Sequence, residues 1–136
     1  MEPFTNCLIA AYYLRRRFKN RRRRRYYVHP IFAQRTLEGE FTTIYSLLRE
    51  DEKFFNYFRM SIKSFDELSA KLQDYLKHIN LFRAPVSPVE RLAVTLRYLA
   101  TGHTFTDLHY SYRLGVSTIS FIVKEVCKTI WEILHE

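Results

Sequence analysis

The sequence is poor in the residues that build disulfide and metal sites. Its two cysteines, Cys7 and Cys127, lie far apart and match neither a disulfide framework nor a paired metal-ligand spacing. Cysteines used in this way suit a reducing compartment. The five histidines are also dispersed, whereas ligand pairs on one helix usually stand three or four residues apart. We therefore expect no zinc finger, no metal site and no disulfide scaffold.

Glycine is equally scarce, with three in 136 residues. The chain contains no glycine-rich phosphate loop, no nucleophile elbow and no HExxH motif. These absences predict that the chain has no catalytic residues, no cofactor and no small-molecule substrate. We expect that it is not an enzyme.

Long apolar runs are absent as well. The short run from Cys7 to Ala11 falls far below the roughly 20 residues that span a bilayer, and no basic segment precedes it. The sequence therefore disfavours secretion and a membrane partner. A helix lying on a membrane surface is the alternative that the neighbouring aromatic and basic residues leave open.

The sequence is rich in apolar residues and carries a strongly uneven charge. Hydrophobic residues make up 47% of the chain, which is ample for one folded domain of this length. Residues 1–30 hold nine of the 22 Lys and Arg and one of the 14 Asp and Glu, which leaves 13 of each sign in residues 31–136. We predict a basic arm over residues 1–30 and a neutral helical domain over residues 31–136. Such an arm indicates a polyanionic partner or a nuclear-import signal.

The basic arm is predicted to be helical over most of its length. Residues 4 to about 25 can form one helix, in which Arg21 to Arg25 repel one another and fray until a partner neutralises them. Residues 26–30 are predicted to be extended, because helical geometry is disfavoured before Pro30.

Two capping boxes mark helix starts in the first part of the domain. Apolar spacing over residues 41–79 predicts two or three short helices, and the box from Ser64 to Glu67 starts one of them near Phe65. The box from Ser87 to Glu90 starts the next helix, with Pro88 at its first position. Gly102 suits its C-cap. Its predicted apolar stripe consists of Val89, Leu92, Ala93, Leu96, Leu99 and Ala100.

The last part of the domain predicts a short helix, a tight turn and a long helix. Thr104 with Asp107 opens the short helix, which stops at 114–116, and Ser117 caps the long one. This order over residues 88–134 is that of a helix-turn-helix, whose last helix enters the major groove; bare three-helix packing is the alternative. No strand pattern competes. The predicted fold is all-α: a small helical bundle with a C-terminal helix-turn-helix and a basic N-terminal helical arm.

The start of the long helix differs from the other predicted starts. Three starts carry an acid at the third helical position, namely Glu67, Glu90 and Asp107, whereas the long helix has Ser120 there. Acids in a first turn complement the positive end of the helix dipole, so their absence leaves amides and hydroxyls for a phosphate. A solvated or capping Ser120 is the alternative.

These patterns give a set of candidate DNA-binding residues. Short hydroxyls suit phosphates or base edges, lysines suit phosphates, and an exposed Phe121 suits a thymine methyl or completes the core. We expect Glu125 to weaken binding unless it accepts from cytosine, while Arg91 and Arg97 are expected either to contact flanking phosphates or to be solvated. The full set is Arg21, Arg22, Arg23, Arg24, Arg25, Ser117, Thr118, Ser120, Phe121, Lys124 and Lys128.

Several blocks of the sequence resemble a known family. They are RRRRYYVHP (22–30), FFNYFRM (54–60), SFDEL (64–68), SPVERLAVTLRYLATG (87–102) and YSYRLGVSTISFIVKEVCKTIWEIL (110–134). Together they look like the N-terminal region of the PIF/Harbinger transposase superfamily, including its domesticated nuclease-like descendants. The resemblance covers nearly the whole chain from residue 15 onward.

The resemblance implies a DNA-binding module that lacks the family's catalytic domain. Family members carry an RNase H-like DDE domain further along, and no Asp or Glu of this chain matches its three catalytic carboxylates. The resemblance implies double-stranded DNA as partner, a Myb-like protein as a second partner, and a nuclear location, with the cytoplasm as an additional one. Two other functions stay open: a protein-interaction module for a Myb-like or acidic partner, in which residues 41–65 and the arm bind, and a truncated transposase without independent activity.

Overall fold

The computed structural model describes residues 3–19, 25–50, 52–78 and 85–135. Over these residues the chain is mostly helical and contains no strand, which confirms the all-α expectation. The elements are α1 Pro3–Lys19, α2 Pro30–Ala33, α3 Arg35–Glu38, a π-helix Phe41–Tyr45, α4 Ser46–Leu48, α5 Lys53–Phe58, α6 Ile62–Leu72, α7 Pro88–Thr101, α8 Phe105–Tyr112 and α9 Val116–Leu134. None of the helices in these ranges is long and apolar enough to cross a bilayer.

The start and end of α7 follow the predicted local signals. The Ser87 side chain accepts a hydrogen bond of 3.2 Å from the Glu90 amide, and Pro88 occupies the first turn, where its missing N–H costs nothing. The helix stops at Gly102, whose φ of 66° lies in the left-handed region that glycine adopts without strain. The predicted boundaries of this helix are confirmed.

Helix α7 is the centre of the bundle. It packs against α5, α6, α8 and α9, so every residue from 90 to 96 is buried, including Val94 and Thr95 outside the predicted stripe. The Thr95 hydroxyl is satisfied by the Arg91 carbonyl at 2.9 Å. Leu99, which the stripe placed inside, is 58% exposed, so its prediction was wrong. A helix that is covered on several sides no longer shows a single apolar face.

An aromatic cluster fills the space beneath α5 and α6. Phe54, Phe58 and Phe65 are all at most 3% exposed, and their ring centroids lie 4.8–5.5 Å apart. Full burial of a phenylalanine side chain stabilises a fold by about 1.5–3 kcal/mol, with edge-to-face contacts adding to this. Phe54 and Phe58 therefore belong to the core and do not form an exposed docking surface.

A partly buried hydrogen-bond network joins the N-terminal half of the domain to α8. The Tyr57 hydroxyl donates to the Glu40 carboxylate and lies 3.0 Å from the Tyr112 hydroxyl. Burial raises the pKa of both phenols, which stay protonated and able to donate. The guanidinium of Arg97 lies over the Tyr57 ring, 3.9 Å from the ring centroid. The network fixes α5 and α8 relative to each other.

Two predicted helix starts are displaced in the structure. Helix α6 begins at Ile62, because the Ser61 hydroxyl accepts from the Ser64 amide at 3.1 Å and caps the helix three residues before the predicted box. Asp66, inside that box, instead accepts two bonds from Arg49, which lowers the pKa of its carboxyl. Helix α9 begins at Val116 after Gly115, so Ser117 lies inside the first turn and is not the cap.

The first half of the arm is helical, as predicted. Helix α1 is described as far as Lys19, and the rest of the predicted helix, residues 20–24 with Arg21, Arg22, Arg23 and Arg24, lies outside the described residues. Residues 7–15 of α1 are all exposed, including Leu8 at 71% and Tyr13 at 64%. His29 is extended and caps α2 by accepting from the Ile31 amide, in agreement with the extended geometry predicted before Pro30.

Candidate nucleic-acid interface

The predicted site residues of α9 lie on its outer surface. Ser117, Thr118, Lys124 and Lys128 are exposed, Phe121 is 58% exposed, and Ser120 is half-buried. The opposite face of the helix, with Ile119, Ile122 and Val126, is fully buried. The structure thus gathers hydroxyls, one aromatic ring and two lysines on one side of a helix.

The first turn of α9 is free of acids and of a side-chain cap. Gly115 stands in the N-cap position in extended geometry and has no side chain to accept from the first amides. A methyl group on Gly115 would lie 3.3 Å from the Thr118 hydroxyl oxygen, so the glycine leaves room for that hydroxyl beside the helix start. In contrast, Thr104 and Asp107 form a complete capping box at α8, and their hydrogen bonds lower the pKa of Asp107.

Glu125 does not project from this surface as the sequence predicted. Its carboxylate accepts from Arg91 Nη1 at 2.6 Å and shares a 2.6 Å hydrogen bond with His78 Nε2. Arg91 also donates from Nε to the Val86 carbonyl, and only 7% of the residue is exposed. The expected placement of Glu125 on the open polar face was therefore wrong, because its carboxylate is paired inside the bundle, while its effect on phosphate binding stays a prediction. Removing one partner of so buried a pair costs about 3–5 kcal/mol.

Both arginines of α7 have partners inside the bundle. Arg91 is held by Glu125, while Arg97 donates to the Tyr57 carbonyl at 3.2 Å and stacks on the Tyr57 ring. Both had been expected on a polar face of α7, and the solvated alternative is wrong for Arg91, which is buried, while Arg97 is half-buried and its contact with a phosphate stays a prediction. The two lysines of α9 are less restrained, since the Lys128 amino group lies 3.6 Å from Glu132 and 76% of its side chain is exposed.

The segment that directly follows the arm, residues 30–38 with α2 and α3, contacts the turn between α8 and α9; we call this segment the base of the arm. Arg113, in that turn, donates from Nη1 to Gln34 at 3.0 Å and from Nη2 to the Glu38 carboxylate at 2.8 Å. The Phe32 ring contacts the His109 ring at 5.5 Å, and His109 donates from Nδ1 to the Leu114 carbonyl at 2.7 Å. The segment from α2 to α3, which continues from the arm, is thereby fixed beside the start of α9.

Arg113 and His109 are residues that the sequence analysis missed. The partners of Arg113, Gln34 and Glu38, lie 79 and 75 residues before it in the chain, and no local sequence pattern indicates such pairings. Its φ of 54° marks the turn, but an arginine is not among the residues typical of left-handed geometry. Of the arm's predicted DNA-binding residues, Arg25 is described: it is exposed, with its guanidinium 5.5 Å from the Tyr26 ring centroid.

Comparisons with known proteins leave the family undecided. No protein-family model matches the chain, and no curated protein and no solved structure matches it either. The resemblance to the PIF/Harbinger superfamily therefore stays a prediction. Within the part of the chain that the structure describes, no group of three His, Cys, Asp or Glu residues is placed to hold a metal ion.

We predict that Arg113→Ala loosens the base of the arm and leaves the bundle folded. The substitution removes both hydrogen bonds of a partly exposed pair, whose strength is about 0.2–1 kcal/mol for pairs of this kind. Hydrogen exchange should therefore quicken by roughly twofold to fivefold at amides of residues 30–38 and stay unchanged in the middle of α9.

Arg59→Ala is the matched control for this prediction. Among the described residues Arg59 is the other arginine with positive φ, at 56°, so its replacement changes a backbone of the same geometry without touching the base of the arm. Equal exchange rates at residues 30–38 in both variants would contradict a clamping role for Arg113.

Proposed function

We propose that this chain is a DNA-binding module in which α8 and α9 act as a helix-turn-helix and the basic arm adds affinity for phosphates. In this proposal α9 lies in the major groove with Ser117, Thr118, Phe121 and Lys124 toward the DNA. The module is derived from a PIF/Harbinger-type transposase, acts in the nucleus, and carries no nuclease chemistry of its own.

The observation that carries the proposal is the contact between the base of the arm and the turn before α9. Arg113 binds Gln34 and Glu38, and the arm's Arg25 lies only nine residues before Gln34. The C-terminal end of the basic arm and the start of α9, which are distant in sequence, thus lie near each other on the surface. A duplex that meets the start of α9 is then within reach of the arm, which is the arrangement that simultaneous binding requires.

The chemistry of α9 supports the same function. Its first turn offers exposed hydroxyls and no carboxylate, and the one acid between its two lysines is ion-paired with Arg91 and hydrogen-bonded to His78. Helix N-termini without acids attract phosphates through their free amides and the helix dipole. The lysines one and two turns further on extend the cationic surface toward the backbone of the DNA.

The two elements are expected to contribute differently. The arm carries nine Lys and Arg between residues 15 and 25, so it supplies most of the electrostatic affinity, which depends on salt and hardly on sequence. Helix α9 has fewer charges and more hydrogen-bonding groups, and therefore supplies orientation and base contacts.

A protein-interaction module is the second candidate, and one observation favours it. The apolar side chains of α1 are exposed, whereas Phe54 and Phe58, which the sequence had offered for this role, lie in the core. Replacing Leu8 and Tyr12 by serine would abolish capture of a protein partner under this hypothesis and leave binding to duplex DNA unchanged.

Removing the arm is predicted to flatten the salt dependence of duplex binding. The slope of log K against log salt is negative, and deletion of residues 15–25 should reduce its magnitude by about 0.9 for each phosphate that the arm neutralises.

Lys124→Ala with Lys128→Ala should weaken binding further, whereas Lys63→Ala with Lys71→Ala on α6 serves as the charge-matched control. Fluorescence anisotropy with a labelled duplex measures both effects, and absence of duplex affinity at low salt would rule the proposal out.

Adding an acid to the start of α9 should change stability and binding in opposite directions. In Gly115→Asp the Thr118 hydroxyl shifts slightly to admit the new Cβ, and the carboxylate caps the free amides, which stabilises the helix by about 0.3 kcal/mol relative to glycine, but it repels an incoming phosphate. Gly115→Asn caps in a similar way without the charge. We expect both variants to unfold at higher urea and only the aspartate variant to lose duplex affinity by tenfold or more, an effect of about 1.4 kcal/mol. Full affinity in Gly115→Asp would show that DNA does not meet this helix start.

A further inference from the structure

A continuous chain of side chains runs from the arm to the outer face of α8. The Arg25 guanidinium lies 5.5 Å from the Tyr26 ring, and the successive ring contacts span 6.0, 5.9, 5.5 and 4.7 Å. We call this chain the ring path; its members are Arg25, Tyr26, His29, Phe32, His109 and Tyr110. The ring path lies outside the core of the bundle, since none of its members is fully buried.

The two ends of the ring path are open to solvent, while its middle is anchored. Tyr26 is 46% exposed and Tyr110 is 65% exposed. Phe32 and His109 are half-buried, and the hydrogen bond from His109 to the Leu114 carbonyl ties the path to the turn before α9. Exposed aromatic rings on an anchored base lose little side-chain freedom when a flat ligand stacks on them.

From this geometry we infer that the ring path binds unpaired nucleobases of a DNA strand next to the duplex, by stacking them on Tyr26 and Tyr110. Every base has a π-face, so stacking on aromatic side chains needs no particular sequence. The Arg25 guanidinium lies over one face of the Tyr26 ring, so a base would stack on the opposite face, and the cation attracts the phosphates of the same strand.

Charge favours a nucleic acid over an acidic or apolar protein segment as the occupant. An acidic segment would meet Arg25 but gains nothing from the flat rings, and an apolar segment gains nothing from Arg25. The nearest acid along α8, Asp107, is engaged by the Thr104 hydroxyl at 2.7 Å and by the Thr104 amide at 3.1 Å. The inference rests on the proposed function, because the duplex bound at α9 is what brings an adjoining strand to the ring path.

The test compares three labelled DNAs of equal duplex sequence with the full chain. One is the blunt duplex, the second carries a six-nucleotide single-stranded overhang, and the third carries an overhang of the same length made of abasic sites. We expect the base-bearing overhang to bind at least about fivefold tighter than the abasic one, since both add the same phosphates and only one adds rings.

The variants separate stacking from a merely structural effect. Tyr26→Ala with Tyr110→Ala should abolish the difference between the two overhangs and leave affinity for the blunt duplex unchanged, while the double replacement by phenylalanine should keep the difference. Tyr75→Ala, at a tyrosine that is 67% exposed elsewhere, is the control and should keep it too.

Each outcome bears on a distinct claim. Equal binding of both overhangs by the wild-type chain would overturn the inference, as would an alanine variant that loses blunt-duplex and overhang affinity in equal measure. Binding of the base-bearing overhang that depends on both tyrosines, without any affinity for the blunt duplex, would support base stacking and refute the proposed function.

Discussion

The arrangement of this molecule depends on one side chain in the turn between α8 and α9. Arg113 donates to Gln34 with one nitrogen and to Glu38 with the other, so a single guanidinium joins the segment after the arm to the C-terminal helices. A planar guanidinium with fixed donor directions suits such a two-point contact better than a flexible ammonium group. Without it, the contact between the Phe32 and His109 rings would still hold the base of the arm near the turn, but no hydrogen bond would fix its position there.

The rest of the bundle supplies a rigid frame for this contact. Helix α7 is buried from residue 90 to residue 96 and is covered by α5, α6, α8 and α9. The hydroxyls of Tyr57 and Tyr112 connect α5 to α8, and the Arg91–Glu125 pair connects α7 to α9. These interactions fix α8 and α9 to the other helices of the bundle, whereas Arg113 and the His109 ring bind the base of the arm on the outer side of α8.

The sequence predicted helices and their capping chemistry better than it predicted tertiary pairing. The serine cap of α7, its C-terminal glycine and the box at Thr104 were recognised, because each depends on residues within a few positions of one another. Ser64 and Ser117 were assigned the wrong role, since serines at 61 and 64 compete for one start and a bare Gly115 starts α9 without any side-chain signal.

Charged residues with distant partners were the main source of error. Arg91, Arg97 and Glu125 were placed on solvated faces, yet their partners lie 34, 40 and 47 residues away in Glu125, Tyr57 and His78. Periodicity alone cannot reveal that several neighbours surround α7 and turn its polar positions inward. The exposed residues of α9 were easier to predict, because one buried stripe on a peripheral helix leaves the remaining positions outside.

The most direct test of the account asks whether the base of the arm and the start of α9 meet the same DNA. It uses the full chain labelled with nitrogen-15, to which a duplex is added at low salt while the amide resonances are followed. The account predicts that the largest shifts occur together at Arg25, Arg113 and residues 116–124, with α6 unchanged. Shifts confined to α1, or shifts in the arm without any in α9, would contradict it.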